Sequence, residues 1–182
     1  RDIPVDYIIG GARTPHLRQV LQNEIADEGD YCQCIRCREI KNNEFEIKDV
    51  FYKVDKYEAS YGIEYFISAN VENKHNLARP YLVGFCRLRL RNYDVVKKDF
   101  TRNYEYTNFI GVLKNCALIR EMHVYGRMVP SYLSKFEKSN SQHRGIGSAL
   151  LKKAEKIAVN EGFNNMAIIS GVGVRGFYRK NG

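Results

Sequence analysis

Two glycines one residue apart, Gly145 and Gly147, stand in the run Gln142-His143-Arg144-Gly145-Ile146-Gly147-Ser148. Where such a loop opens a helix, backbone N–H groups and the positive helix end point at an anion, and a phosphate is the usual one. Glycine suits it because a Cβ would hold the backbone away from the anion and disfavour left-handed φ. No Gly-Lys-Ser/Thr follows, so the loop is not of the Walker A kind. A third glycine and a distal acidic residue are missing, so it is a poor dinucleotide fingerprint. A second chemical signal is Cys32-Gln33-Cys34-Ile35-Arg36-Cys37. Three thiols this close can fold around one soft or borderline ion, zinc above all, although an iron–sulfur cluster fits the same spacing. A tetrahedron needs a fourth ligand, for which His16, Cys86, Cys116 and His123 are candidates. The alternative is three unliganded thiols in a surface loop.

These groups need elements to hold them. Ile146, Leu150, Leu151, Ala154, Ile157 and Ala158 make one apolar stripe at helical spacing, opposite Lys152, Lys153, Glu155 and Lys156, and Gly162 is a stop. Cys116–Tyr125 is apolar and β-like and carries Arg120, Glu121 and His123. Tyr81–Leu90 predicts another strand, with Arg87, Arg89 and Arg91 alternating onto one face that is either anion-binding or solvated. Residues 44–72 alternate (Phe45, Ile47, Phe51, Val54, then Tyr61, Ile63, Tyr65, Phe66, Ile67) and predict antiparallel strands with a turn near Ala59–Gly62. Met166–Ser170 reads as a short buried strand and Val174–Lys180 as a short basic helix. Near the start, Thr14 as N-cap and Pro15 at the first helical position predict a helix over 15–27, with Leu17, Val20, Leu21 and Ile25 as its apolar face and Gly29 as its end. Residues 1–13, the polar stretch 92–115 and the loop 126–141 carry no regular pattern.

The totals bound the reading. At 182 residues, 44% of them apolar, the chain can bury one ordinary core. It has no apolar run of about 18 residues to cross a membrane. The net charge of +8 favours an anionic partner over a neutral one, with a solvated basic surface as the alternative. Five cysteines, an odd number with three clustered, argue against a secreted disulfide framework and for an intracellular, cytoplasmic place. The chain starts at Arg1-Asp2-Ile3-Pro4 without Met, as a piece of a longer protein would.

The order of strand, Gln-x-x-Gly-x-Gly helix, strand and tyrosine-bearing helix resembles the GNAT N-acetyltransferases. Closer still, Arg120-Glu121-Met122-His123-Val124-Tyr125-Gly126, Gln142–Gly147 and Ile169-Ser170-Gly171-Val172-Gly173-Val174-Arg175-Gly176-Phe177-Tyr178-Arg179-Lys180 are similar to the acetyltransferase domain of the catalytic (third) subunit of Elongator. Arg1–Pro4 and the cysteine run at 32–39 share the likeness, which fades over 40–115. The resemblance implies a mixed α+β fold, a mostly antiparallel sheet flanked by helices, over 44–182, after an N-terminal helix and metal-binding segment over 1–43. It implies acetyl-CoA as cofactor, tRNA as substrate and other Elongator subunits as partners, in wobble-uridine C5 carboxymethylation. That family carries a radical-SAM domain with its own cysteine triad, absent here, and continues past Gly182 into further strands. Lysine acetylation of histones or other proteins is the alternative activity, and a non-catalytic tRNA-binding module is a second.

Residue roles follow from the same resemblance. Met122, His123, Val124, Gln142, His143, Arg144, Gly145, Ile146, Gly147, Ser148, Phe177 and Tyr178 line the cofactor. The Tyr178 phenol is placed to protonate the leaving thiolate, or it is simply a packed tyrosine, one of thirteen. Glu121 would orient a water or act as base. His123, on its face, is open to three roles: base, metal ligand or satisfied core histidine. Arg36, Arg38, Arg175, Arg179 and Lys180 are the candidates for tRNA phosphate, against a merely solvated basic surface.

Overall fold

A computed structural model describes residues 16–41, 43–59, 62–91, 113, 115–125 and 145–182. The chain divides into two compact units, Arg1–Arg38 and Glu39–Gly182. Glu39 goes with the second because it bridges to Leu82, and the Ile40 amide donates to the Leu82 carbonyl at 3.0 Å.

In the first unit, α1 spans Leu17–Asp27 and a single turn, α2, spans Ile35–Arg38. The helix starts two residues later than the Thr14-Pro15 signal predicts. His16 is its N-cap residue, at φ 57°, with no side-chain cap, while residues 14 and 15 lie outside the described residues. It stops where Gly29 predicts. The Gly29 amide donates to the Ala26 carbonyl and the Asp30 amide to the Ile25 carbonyl, which closes the last turn. The expected apolar face is not buried: Leu17, Val20 and Leu21 are exposed.

The second unit is a five-stranded sheet in simple chain order: β1 (Phe51–Ala59), β2 (Gly62–Val71), β3 (Tyr81–Leu90), β4 (Cys116–Val124) and β5 (Asn165–Ile168). The first four are antiparallel and β5 runs parallel to β4, so the sheet is mixed and mostly antiparallel, as expected. Ala59 pairs with Gly62, which places the β1–β2 turn where the sequence does. Phe45 and Ile47 are not in the first strand. Ile47–Asp49 is one 3-10 turn, and Phe45 is buried while Ile47 is exposed, so the side chains that suggested alternation serve a corner. Strand β5 is shorter than expected and half-buried rather than buried.

Helix α3 (Ile146–Asn160) covers one face of the sheet. Its buried side chains, Ile146, Leu150, Leu151, Ala154 and Ala158, form one core with Tyr65, Ile67, Cys86, Leu88 and Ile119. The predicted stripe is therefore the real one, with Ile157 at its half-buried margin. Alternation along a strand sends the neighbours of these sheet residues to the opposite face. There, Arg87 pairs with Glu121 at 3.0 Å and lies over the Phe66 and Phe85 rings. Arg89 pairs at 2.8 Å with Glu64, a carboxylate that is only 2% exposed. Arg120, a bulge residue of β4, and the Tyr57 hydroxyl also bond Glu64. Burial opposes its charge, but the bonds from Arg120, Arg89 and Tyr57 outweigh that and hold the carboxyl below its ordinary range. Arg87 and Arg89 are thus tied into the sheet, which corrects both expectations, anion-binding and solvated, for these two residues. Among the described residues no helix is long and apolar enough to cross a membrane.

Candidate acetyl-CoA site

The first turn of α3, the end of β4 and a last short helix, α4 (Arg175–Asn181), meet at one place. Gly145 is the residue before α3, at φ 106°, a left-handed conformation that a residue with a Cβ adopts only under strain. The Ala149 amide makes the first intrahelical bond, to the Gly145 carbonyl at 2.8 Å. Helix geometry leaves the N–H groups of Ile146, Gly147 and Ser148 without an intrahelical partner. Among the described residues no side chain caps them, and no acidic side chain stands in the first turn to offset the positive helix end.

Gly147 is there for close approach. A Cβ on it would lie 3.2 Å from the Phe177 ring and 3.6 Å from Cγ2 of Val124. Phe177 and Tyr178 both pack against the core, edge to face with ring centroids 5.3 Å apart. A bond from the Ser148 hydroxyl to Oδ1 of Asn181, 2.6 Å, ties the two helices, and Nδ2 of Asn181 donates to the Phe177 carbonyl at 2.8 Å. Strand register leaves the end of β4 without a β5 partner. β4 pairs with β5 only over Cys116–Ile119, so its last five residues, Arg120–Val124, run on past the final pair. Backbone groups there face the side that β5 leaves, next to the open turn of α3.

The predicted residues divide accordingly. Val124, Gly145, Ile146, Gly147, Ser148 and Phe177 come together, with Tyr178 beside them. Met122 pairs with Cys86 and points to the α3 side. Burial, then the neighbouring Cys86, push the Tyr178 phenol above its ordinary value; burial alone pushes the Cys86 thiol up to about 12. Both therefore hold their protons at neutral pH. Glu121 and His123 project to the opposite face, because they pair with Arg87 and Phe85. The Glu121 carboxylate is held by Arg87, with His123 Nε2 at 3.5 Å, and the His123 ring joins those of Phe85 and Tyr125 in a three-ring cluster, tilted against the first and stacked on the second. Gln142, His143 and Arg144 lie outside the described residues. Arg175, Arg179 and Lys180 are exposed on α4 and Arg36 is exposed on α2, while Arg38 is half-buried. Sequence reasoning missed Asn181. Its spacing from Phe177, one helical turn on the same face, was the available signal.

In the first unit, the Sγ atoms of Cys32, Cys34 and Cys37 lie within 4.8 Å of one another. Nη2 of Arg18 donates to Cys37 Sγ at 3.0 Å and to Cys34 Sγ at 3.6 Å, and Nε2 of Gln22 to Cys37 Sγ at 2.7 Å. Burial opposes ionisation of Cys34, but bonds from the Cys37 amide, the two other thiols and Arg18 bring it down to about 7. Three convergent sulfurs, one of them readily ionised, suit a borderline ion such as zinc.

A glycine-opened α3 beside a β4 that runs on past its parallel partner β5 is the arrangement of an acyltransferase of the family that the chain matches. The chain belongs to the Acetyltransferase (GNAT) family, which it matches over residues 34–182. Within that family its relatives are narrower. It is 35% identical over its whole length to Elongator complex protein 3 of Schizosaccharomyces pombe, 31% of which it covers. It is 33% identical, again over its whole length, to 31% of the tRNA uridine(34) acetyltransferase of Methanocaldococcus jannaschii. The solved archaeal Elp3 of Methanocaldococcus infernus with an N-terminal deletion superposes with a TM-score of 0.64 at 30% identity, over 99% of this chain and 39% of that one. The chain thus spans about a third of the length of these curated relatives.

Proposed function

We propose that this chain is the acetyl-CoA-handling domain of a tRNA wobble-uridine-modifying enzyme, with tRNA-dependent acetyl-CoA hydrolysis or transfer as its activity. The observation that carries this is the open first turn of α3, packed through Gly147 onto Phe177 and Val124, in a chain so alike along its whole length to a tRNA uridine(34) acetyltransferase. Acetyl-CoA would supply an activated acetyl thioester. The amides of Ile146, Gly147 and Ser148 bind its pyrophosphate, with Gln142, His143 and Arg144 completing the loop. The end of β4, Met122 to Val124, aligns the pantetheine arm, and Phe177 closes the site from α4. Tyr178 keeps a proton on its phenol oxygen for a departing thiolate. Glu121 and His123 act from the other side of β4, orienting a water or the acceptor. Arg36, Arg38, Arg175, Arg179 and Lys180 contact tRNA phosphates, and other Elongator subunits assemble around the longer protein. Zinc held by Cys32, Cys34 and Cys37 fixes the turn that carries Arg36 and Arg38.

Acetyl-CoA hydrolysis by the purified chain, with and without tRNA, tests the reading. Stimulation by tRNA that falls about a hundredfold in Tyr178→Phe, the worth of a general acid, supports it. Stimulation by a lysine-bearing peptide and not by tRNA would transfer the activity to a protein acceptor. For the thiol cluster, metal analysis of Cys34→Ser is decisive: zinc content equal to that of the unsubstituted chain would refute the assignment.

A further inference from the structure

Helix α4 has seven residues. Two turns are too few to hold themselves together in water, so tertiary anchors must fix them. Arg175, Gly176, Arg179 and Lys180 are all exposed, so burial does not anchor the helix through them. What remains is Phe177, Tyr178 and Asn181, at i, i+1 and i+4, on one face. Phe177 and Tyr178 give apolar contact, which fixes distance but little direction. Among the described residues Asn181 adds the directional side-chain bonds, two at once. Its Oδ1 accepts from the Ser148 hydroxyl at 2.6 Å, in the first turn of α3. Its Nδ2 donates to the Phe177 carbonyl at 2.8 Å, one turn back in α4. The amide side chain is thus a strut between the turn that carries the open N–H groups and the backbone of the residue that sits on Gly147.

We propose that Asn181 is a positioning residue for acetyl-CoA, acting through Ser148 and Phe177. It sets the separation of α3 and α4, and with it both the seat of Phe177 on Gly147 and the place of Tyr178. The role rests on the acetyl-CoA reading given above. Ser148 thereby has two tasks: its amide faces the anion, and its hydroxyl is committed to the strut. Loss of either end should loosen α4 on α3 without opening the core, because Phe177 and Tyr178 still pack.

The test is a double-mutant cycle on the chain with Ser148→Ala and Asn181→Leu, read by calorimetric titration with acetyl-CoA and by hydrogen exchange of the amides of 175–182. Ser148→Ala puts a good helix former into a helix and is the variant least at risk of misfolding. Each single change is expected to raise the acetyl-CoA Kd about three- to tenfold, the usual worth of one hydrogen bond, and to speed exchange across α4. The double variant should be hardly worse than either single one, because both break the same strut. Additive losses would overturn the proposal, as would a lowered thermal midpoint with the acetyl-CoA Kd unchanged. Failure of the unsubstituted chain to bind acetyl-CoA would instead bring down the proposed function, and the role of Asn181 with it. Binding by the unsubstituted chain that neither variant weakens would remove only the role of Asn181.

Discussion

The two ends of α3 are built to opposite rules. At the C-terminal end the last turn is closed. The Gly162 amide bonds the Val159 carbonyl and the Phe163 amide bonds the Ala158 carbonyl, closing the last turn with Gly162 at φ 85°. Beside it, Glu161 accepts from the Tyr65 hydroxyl and pairs with Lys56 at 3.3 Å. At the N-terminal end a glycine also takes left-handed φ, yet the amides after it have neither a side-chain cap nor an acidic neighbour among the described residues. The same residue type therefore does two jobs. Gly162 ends a helix and completes its bonding, while Gly145 starts one and leaves it open. A cap there would stabilise the helix by about 1 kcal/mol; leaving it out, in a turn that also packs through Gly147 onto Phe177 and Val124, suits a bound anion, whereas the closed end serves the fold.

If so, substitutions at the two ends should separate binding from stability. The largest effect on binding is expected at Gly147. A valine there would meet the Phe177 ring and Val124, so α4 must move away from α3. Acetyl-CoA affinity should fall by at least about a hundredfold, with a stability loss of about 1–3 kcal/mol from overpacking, measured by titration calorimetry and urea unfolding. Equal affinity in Gly147→Val would break the comparison outright. Midway along the helix, Leu150→Ala should reverse the pattern. Leu150 is fully buried against the sheet, so its truncation should cost about 2–5 kcal/mol, while the folded fraction binds acetyl-CoA as before. At the closed end, Gly162→Ala forces a Cβ into left-handed φ. It should cost about 1–2 kcal/mol, with no change in affinity.

The sequence reading was strongest where the signal is local. Tyr81–Leu90 is β3 residue for residue, and Cys116–Tyr125 exceeds β4 by one, because alternating apolar runs bounded by polar loops leave little choice of period. The stripe Ile146 to Ala158 was legible for the same reason. Partnership was not. Nothing local says that Arg87 and Arg89 will meet Glu121 and Glu64, which lie on two other strands, so a row of arginines read as free charge. Nor does an exposed-looking Asn181 near the end of a short helix announce a bond to Ser148. Phe45 and Ile47 were misassigned because a corner that buries one side chain and exposes the next mimics the period of a strand. For the site, the glycines and Phe177 were readable as motif. That Glu121 and His123 point away from the face that carries Tyr178 follows only from register across β3 and β4.

The smallest expected effect sharpens the closed end. Hydrogen bonding from Tyr65, with support from Lys56, holds the Glu161 carboxyl below its ordinary value. A carboxyl whose folded pKa is depressed contributes stability that is present above its unfolded pKa, near 4.5, and is lost as pH falls through the folded value. The closed end should therefore loosen under acid, over a window beginning near the ordinary glutamate range and extending below it. Glu161 is 37% exposed, and at that exposure solvent screening limits the effect to less than about 1 kcal/mol. Glu161→Gln should lower stability slightly at neutral pH, and the difference from the unsubstituted chain should shrink as pH falls from 5 towards 3. Urea midpoints at several pH values read this directly. The same buried-side bonds at Glu64 remain in both chains, so their own acid dependence cancels in the difference. A gap between the two that stays constant with pH would show that Glu161 acts by packing on Tyr65 rather than by charge, and the closed end of α3 would then owe its stability to the Gly162 turn alone.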